Sequence, residues 1–290
     1  MRREGLEIKI KRIFKADMSI KIPDEFPTLK DYLDWLFKKY NTPEFINSDP
    51  VKFVHRFSNP KDMEIAGFIA SLLAMGNRKI ILLSSERLFN IMEDKPYEFV
   101  LNFDPFWYEK ILNNFVHFAY RNIEGKDLLV VFYLLKQALE KYGTLKNLFL
   151  KHYDEKHPTI KQALSGFVKE LLSFDPPPKF NGIPESVGGL IPDPEKNSPC
   201  KRLNMFLRWM VRKDNVDVGL WSEVDKSKLI IPLDTHVSKI SRGLGLTQRK
   251  TDTWKTAEEI TNNLKKFDPE DPVKYDFAIF GLGIELKHGY

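Results

Sequence analysis

Apolar residues recur along most of this chain at the three- and four-residue spacing of a helix, and no two-residue alternation competes with them. Leu29, Leu33, Leu36 and Phe37 mark one helix, and Asp62 followed by Ile65, Ile69, Leu72 and Leu73 opens a second whose apolar density predicts burial. Near the end, Trp254, Ala257, Ile260, Leu264 and Phe267 mark another. Further helices are predicted over about 78–92, 105–122, 126–141, 144–152, 158–173, 199–212, 235–244 and 272–286. With no strand–helix–strand alternation, the expected fold class is all-α. The stretch from Asp175 to Pro199 changes character, with three prolines at 176–178 and glycines at 188 and 189, and predicts a long structured loop. No internal repeat or low-complexity tract interrupts the pattern, and 290 residues suit one or two domains.

Several classes are excluded early. No stretch approaches the roughly 18 apolar residues that cross a bilayer, and the first 17 residues, six of them Lys or Arg, lack an apolar signal core. They read as a basic arm on a chain expected to be soluble, cytoplasmic and monomeric. The single cysteine, Cys200, cannot form an intramolecular disulfide, a four-cysteine zinc site or a four-cysteine iron–sulfur cluster. His152, Asp154 and His157 stand before Pro158 and read as an exposed polar turn, so neither metal nor cofactor is expected. There is no Walker loop, no nucleotide-binding glycine fingerprint and no HExxH.

Net charge is +5, but its distribution says more. Lys196, Lys201, Arg202, Arg208, Arg212 and Lys213 follow one another with no carboxylate between them, as do His236, Lys239, Arg242, Arg249 and Lys250. Such blocks attract a phosphate backbone, which makes Lys196, Arg202, Arg208, Arg212, Lys213, His236, Lys239 and Arg242 the candidate nucleic-acid contacts. DNA, as a damaged duplex or a single strand, is the expected partner.

Two residues carry the candidate chemistry. Ser198-Pro199 is a helix-start signal that puts Lys201 in a first turn, where the positive end of the helix dipole disfavours an ammonium and favours a nucleophilic amine. The apolar run Leu229 to Leu233 leads into Asp234-Thr235-His236, with Val237, Ile240 and Leu244 marking the helix that follows. Asp234 is therefore an N-cap, and a carboxylate held at a helix start can also stabilise positive charge developing on a substrate. Trp221 and Trp209 are candidates to stack on an extruded base, although Trp209, beside Leu203, Phe206, Leu207 and Met210, also fits a core.

The run Leu233-Asp234-Thr235-His236-Val237 resembles the hydrophobic-Asp-Thr-His-Val helix start of the helix-hairpin-helix (HhH-GPD) DNA glycosylase superfamily. Lys201 to Leu207 is similar to the start of the helix that carries the Schiff-base lysine of its endonuclease III-like members, and Ile65 to Phe89 to their early helix pair. The chain as a whole looks closest to a bacterial DUF2400-like branch, through Lys201-Arg202-Leu203-Asn204, Arg208-Trp209-Met210-Val211-Arg212, Pro232 to His236 and Asp271 to Ala278. The resemblance implies two helical subdomains with a cleft between them, residues 18–64 with 230–290 and residues 65–229. It implies a base-excision glycosylase with lyase activity, Lys201 as nucleophile and Asp234 as its electrostatic partner, acting on a damaged base such as an 8-oxoguanine-like one. A non-catalytic nucleic-acid-binding protein of the same fold is the alternative. The sequence departs from the pattern in three places. Val187-Gly188-Gly189-Leu190 through Ser198 stands where a glycine-rich hairpin is usual, residues 213–228 are inserted between lysine and aspartate, and the cluster cysteines are absent, as in archaeal 8-oxoguanine glycosylases. Met75-Gly76-Asn77-Arg78 occupies the place of the wedge glutamine.

Overall fold

Helices form where the apolar stripes predict them. The computed structural model describes residues 19–107, 119–120 and 123–288, and fourteen α-helices lie among them. In chain order these are α1 (Leu29–Tyr40), α2 (Pro43–Asn47), α3 (Lys52–His55), α4 (Pro60–Leu73), α5 (Arg78–Ile91), α6 (Pro96–Leu101) and α7 (Gly125–Tyr142). They continue with α8 (Leu145–Leu150), α9 (Lys161–Leu171), α10 (Glu185–Leu190), α11 (Lys201–Val211), α12 (Thr235–Gly243), α13 (Trp254–Lys265) and α14 (Tyr275–His288). Short polar side chains start many of them by accepting from otherwise orphaned amides. Thr28 accepts from Asp31, Asn59 from Lys61 and Asn77 from Lys79, while Glu124 and Asp127 form a reciprocal capping box at α7.

Two expectations need correction, and another lies outside the described residues. The basic arm over residues 1–17 lies outside the described residues, as does most of the helix expected over 105–122. At the described end of that stretch, Ala119–Tyr120 is a strand paired antiparallel with Ile123–Glu124 rather than helix. The expected loop from 175 to 199 contains α10, whose two glycines are offset by contacts from outside: Ser186 Oγ donates to Asp127 Oδ1 at 2.6 Å, and the Arg202 guanidinium donates to the Gly189 carbonyl at 2.5 Å. The short helices α2, α3 and α6 have too few residues to show a helical period and were not anticipated.

Packing brings the two ends of the described chain together. α1 lies along α14, and α12 packs on α14 as well. Gly281 makes the first contact possible, because a side chain there would run into the Tyr40 ring. Elsewhere α4 is buried from Glu64 to Leu73 and packs against α11, Phe68 meeting Phe206 edge-on at 5.3 Å. The expected boundary after residue 64 falls within this helix.

The inserted segment after α11 folds back on it. The Val218 and Gly219 amides donate to the Trp209 carbonyl at 3.0 and 3.2 Å, and the Trp221 amide to that of Met210 at 2.8 Å, which satisfies carbonyls at the C-terminal end of α11. Trp221 is thereby placed in the core, its indole Nε1 donating to Glu64 Oε1 at 2.9 Å. Glu64 also accepts from the Leu145 and Lys146 amides at the start of α8, at 2.7 and 3.0 Å. Burial raises its pKa in spite of these donors.

Candidate active site

The starts of α11 and α12 meet. Lys201 is the first residue of α11, two positions later than the Ser198-Pro199 signal suggested, because Asn197 and Cys200 both adopt left-handed conformations with φ of 60° and 48°. Ser198 Oγ instead accepts from the Cys200 amide at 3.3 Å inside this turn. The Lys201 amine donates to the Ala74 carbonyl at 3.3 Å and lies 3.3 Å from Asp234 Oδ2. Asp234 caps α12 with its other oxygen, Oδ1 accepting from the His236 and Val237 amides at 2.8 and 3.0 Å. One carboxylate thus divides its oxygens between a helix end and an amine. Burial alone would raise the Asp234 pKa, but the Lys201 charge and the two amides outweigh it and hold the carboxyl below its ordinary value. Asp234 is ionised at neutral pH.

Both residues line a cavity of about 480 Å³. Lys201, Met205 and Arg208, spaced four and three residues apart, form the face that α11 presents to it. Opposite chemistry comes from α14 and the loop regions before α3 and α5. Phe277 and Phe280 form an aromatic wall with Phe45, the Arg78 guanidinium lies 4.4 Å from the Phe280 ring centre, and Asp49 Oδ2 is 3.4 Å from Arg78. Asp276 also lines the cavity although its side chain is only 11% exposed. Its Oδ2 accepts from Arg208 Nη1, whose guanidinium stacks 4.3 Å from the centre of the Phe277 ring. Burial and then the nearby Asp234 raise the Asp276 pKa, while Arg208 and Lys201 oppose the shift. The cavity is large enough for a flipped nucleoside-sized group and combines an apolar wall with a few polar atoms, as ligand pockets do.

The profile of one protein family, described as a protein of unknown function (DUF2400), matches residues 49–285. The chain belongs to the DUF2400 family. No curated protein and no solved structure matches it. Within this DUF2400 chain the matched span takes in Lys201, Asp234, Asp276 and all the cavity residues named above except Phe45.

Other expected site residues are placed differently. Arg208 and Arg212 are buried, at 5% and 1% exposure, in a network of carboxylates. Arg212 binds Asp217, Asp271 at 2.7 Å and Asp214 at 2.9 Å; Arg208 binds Asp276 and lies 3.3 Å from Asp217. Arg202 is buried too, donating to the Leu72 and Gly189 carbonyls, and desolvation lowers its pKa to about 10. These three arginines tie helices and loops together, and of them Arg208 alone lines the cavity. Arg242 donates to Asp252 at 2.8 Å. Lys196, Lys213, His236 and Lys239 are exposed, but Lys213 follows the far end of α11, about 16 Å of helix away from Lys201. The basic block is contiguous in sequence and divided in space. Trp209 and Trp221 are both core residues outside the cavity, Trp221 against Phe206 and Phe149. Cys200 Sγ is buried against the Pro192 carbonyl, which pushes its thiol up to about 12 and leaves it inert.

Asp276 and the aromatic wall were not assigned a role from sequence. One signal was available, a lone carboxylate near the start of the apolar helix Tyr275–His288. Asp49 carried none, and Arg78, 29 residues on, stood out only as part of Met75-Gly76-Asn77-Arg78 in the place of the wedge glutamine. Among the described residues no group of three or more His, Cys, Asp and Glu side chains could hold a metal ion, and no helix is long and apolar enough to cross a membrane.

Proposed function

We propose that this cavity is the active site of a DNA base-excision glycosylase with lyase activity, acting on a damaged base extruded from the duplex. The observation that carries the reading is the 3.3 Å approach of the Lys201 amine to an ionised Asp234 at the edge of a cavity of nucleoside size. The resemblance of both helix starts to those of the HhH-GPD superfamily supports it. A glycosidic bond inside the base stack is out of reach, so the nucleotide must enter a pocket with its C1′ atom beside the amine. There the Lys201 ammonium first gives up its proton to solvent, and the amine then forms a bond to C1′ as the C1′–N bond to the base breaks. The base leaves with that electron pair and takes up a proton. Asp234 stays ionised and stabilises the positive charge that develops on the sugar. Loss of the amine proton and opening of the sugar ring give an imine, and removal of a C2′ proton then expels the 3′ phosphate. Of the candidate backbone contacts, Lys196, His236 and Lys239 are exposed on the segments that lead into α11 and start α12.

The test is covalent trapping. Borohydride reduces a Schiff base to a stable amine, so the wild-type chain should cross-link to a duplex with an abasic site. Lys201→Ala and Lys201→Gln should give no adduct while binding the duplex nearly as well, because other cations remain. Binding without any adduct from the wild-type chain would instead support a non-catalytic nucleic-acid-binding protein.

A further inference from the structure

A departing base needs a proton, and Asp234 cannot supply it, being ionised with its oxygens divided between two amides and Lys201. Asp276 is placed otherwise. It belongs to a buried network in which four carboxylates, Asp214, Asp217, Asp271 and Asp276, share the two guanidiniums of Arg208 and Arg212. Lys226 adds a cation only at the edge, 3.7 Å from Asp271 and half exposed. Negative charge is therefore in excess, and in a buried site such an excess favours a proton on one of the carboxyls. Burial works against the Asp214 charge, but Arg212 and the Asp217 and Val216 amides outweigh it and hold that carboxyl below its ordinary value. Asp217 and Asp276, which divide Arg208 between them, are both raised by burial. Of the four carboxylates Asp276 alone lines the cavity. Its Oδ2 accepts from Arg208, and its Oδ1 accepts from no described residue.

The charged and titratable groups that share the cavity with Asp276 are Arg208 and Lys201 from α11, Asp234 and His236 from the start of α12, and Asp49 and Arg78 from the segments before α3 and at the start of α5. Asp234 and Lys201 both act on the Asp276 charge, in opposite directions, so the three form one electrostatic unit. Asp49 has the Val51 amide on one oxygen and Arg78 on the other. Two carboxylates of one cavity are thus pushed apart, Asp234 below its ordinary value and Asp276 above it. Such a split separates a group that keeps its charge from one that can carry a proton. We propose that Asp276 is the general acid of this cavity and gives its proton to the base as the C1′–N bond breaks. This rests on the glycosylase reading and adds to it the residue that completes the first chemical step. Lys201 brings the electron pair of the new bond at C1′, and the base leaves with the pair of the broken one. The Asp276 O–H bond breaks as a bond from that proton to the base forms, and solvent reprotonates Asp276 before the next turnover. The carboxylate left in between keeps Arg208 as its counter-ion.

The test pairs a pH profile with a substrate that has no base to lose. Single-turnover excision of 8-oxoguanine from a duplex by the wild-type chain should rise and then fall with pH, because it needs Lys201 unprotonated and Asp276 protonated at once. Asp276→Asn keeps an oxygen for Arg208 but has no acidic proton. Its folding checked by thermal melting, it should excise about 100-fold more slowly and lose the alkaline fall. Borohydride trapping of an abasic duplex involves no departing base, so there the variant should match the wild type. A wild-type profile without an alkaline fall overturns the assignment, and this measurement stands even if the variant does not fold. A folded Asp276→Asn that excises as fast as the wild type overturns it too. So does a folded variant that loses abasic trapping along with excision, since Asp276 would then support Lys201 rather than protonate the base. A wild-type chain that traps the abasic duplex but excises no base sinks the general acid alone, and one that does not trap it sinks the glycosylase reading.

Discussion

Asp234 performs two jobs with two oxygens, and substitutions can separate them. Asparagine keeps an oxygen to accept from the His236 and Val237 amides but removes the charge facing Lys201; alanine removes both. At 3.3 Å two unit charges attract by about 5 kcal/mol in an effective dielectric of about 20. Each side chain is roughly 30% exposed, however, and solvent screening and desolvation reduce the net contribution to about 1 kcal/mol. Asp234→Asn should therefore cost about 2 °C of melting temperature. Asp234→Ala should cost a further ~1 kcal/mol for the lost cap. Base excision should fall by about 100-fold or more in both, because the transition-state charge loses its counter-ion in a water-poor site. The pH dependence has a definite sign. The folded-state pKa of Asp234 lies below its ordinary 3.8, so the carboxylate contributes stability above that value and loses it as pH falls through the lower folded-state value. The melting difference between wild type and Asp234→Asn should be full at pH 7, begin to fall near pH 4 and vanish only once the pH is below the lower folded-state value. Calorimetry across pH and single-turnover excision measure the two effects. Unchanged excision by Asp234→Asn would reduce Asp234 to a cap, and a stability loss equal to that of alanine would refute the division between its oxygens.

The remaining predictions concern residues whose roles the tertiary structure altered. Arg212→Ala should destabilise the fold by about 3–5 kcal/mol, because Asp214, Asp217 and Asp271 lose a shared cation in a buried site. Denaturant titration measures this, and a weakened DNA affinity with unchanged stability would contradict it. Cys200, its thiol pushed up to about 12 by burial, should resist a disulfide reagent at pH 8 until the chain is unfolded; rapid labelling of the native protein would show the turn before α11 to be open. Duplex affinity should fall steeply with salt, and Lys196→Ala should reduce the slope of the log–log plot by about one. An affinity unaffected by salt would remove the phosphate backbone from the reading.

Helix content was legible in the sequence because each helix is a local periodic object whose apolar stripe and cap residues lie within a few positions of one another. Lys201 and Asp234 could be singled out for the same reason, each being marked by the helix start it occupies. The turn ahead of Lys201 was less legible, since Asn197 and Cys200, rather than glycines, take its left-handed positions. Contiguous charge was misleading for a different reason. On α11, positions 201, 205 and 208 face the cavity, while Arg202 and Arg212 turn toward helix carbonyls and carboxylates contributed by other segments. A run of cations therefore became one amine, three buried ties and a few surface lysines. Local sequence thus determined the helices, their caps and the two residues at the helix starts. Only the tertiary structure decided that those starts meet, that α14 brings Asp276, Phe277 and Phe280 to the same cavity, and which arginines are buried. Those outcomes depend on which faces of distant helices pack together, and the free energy of that packing belongs to contacts between segments rather than to any window of sequence.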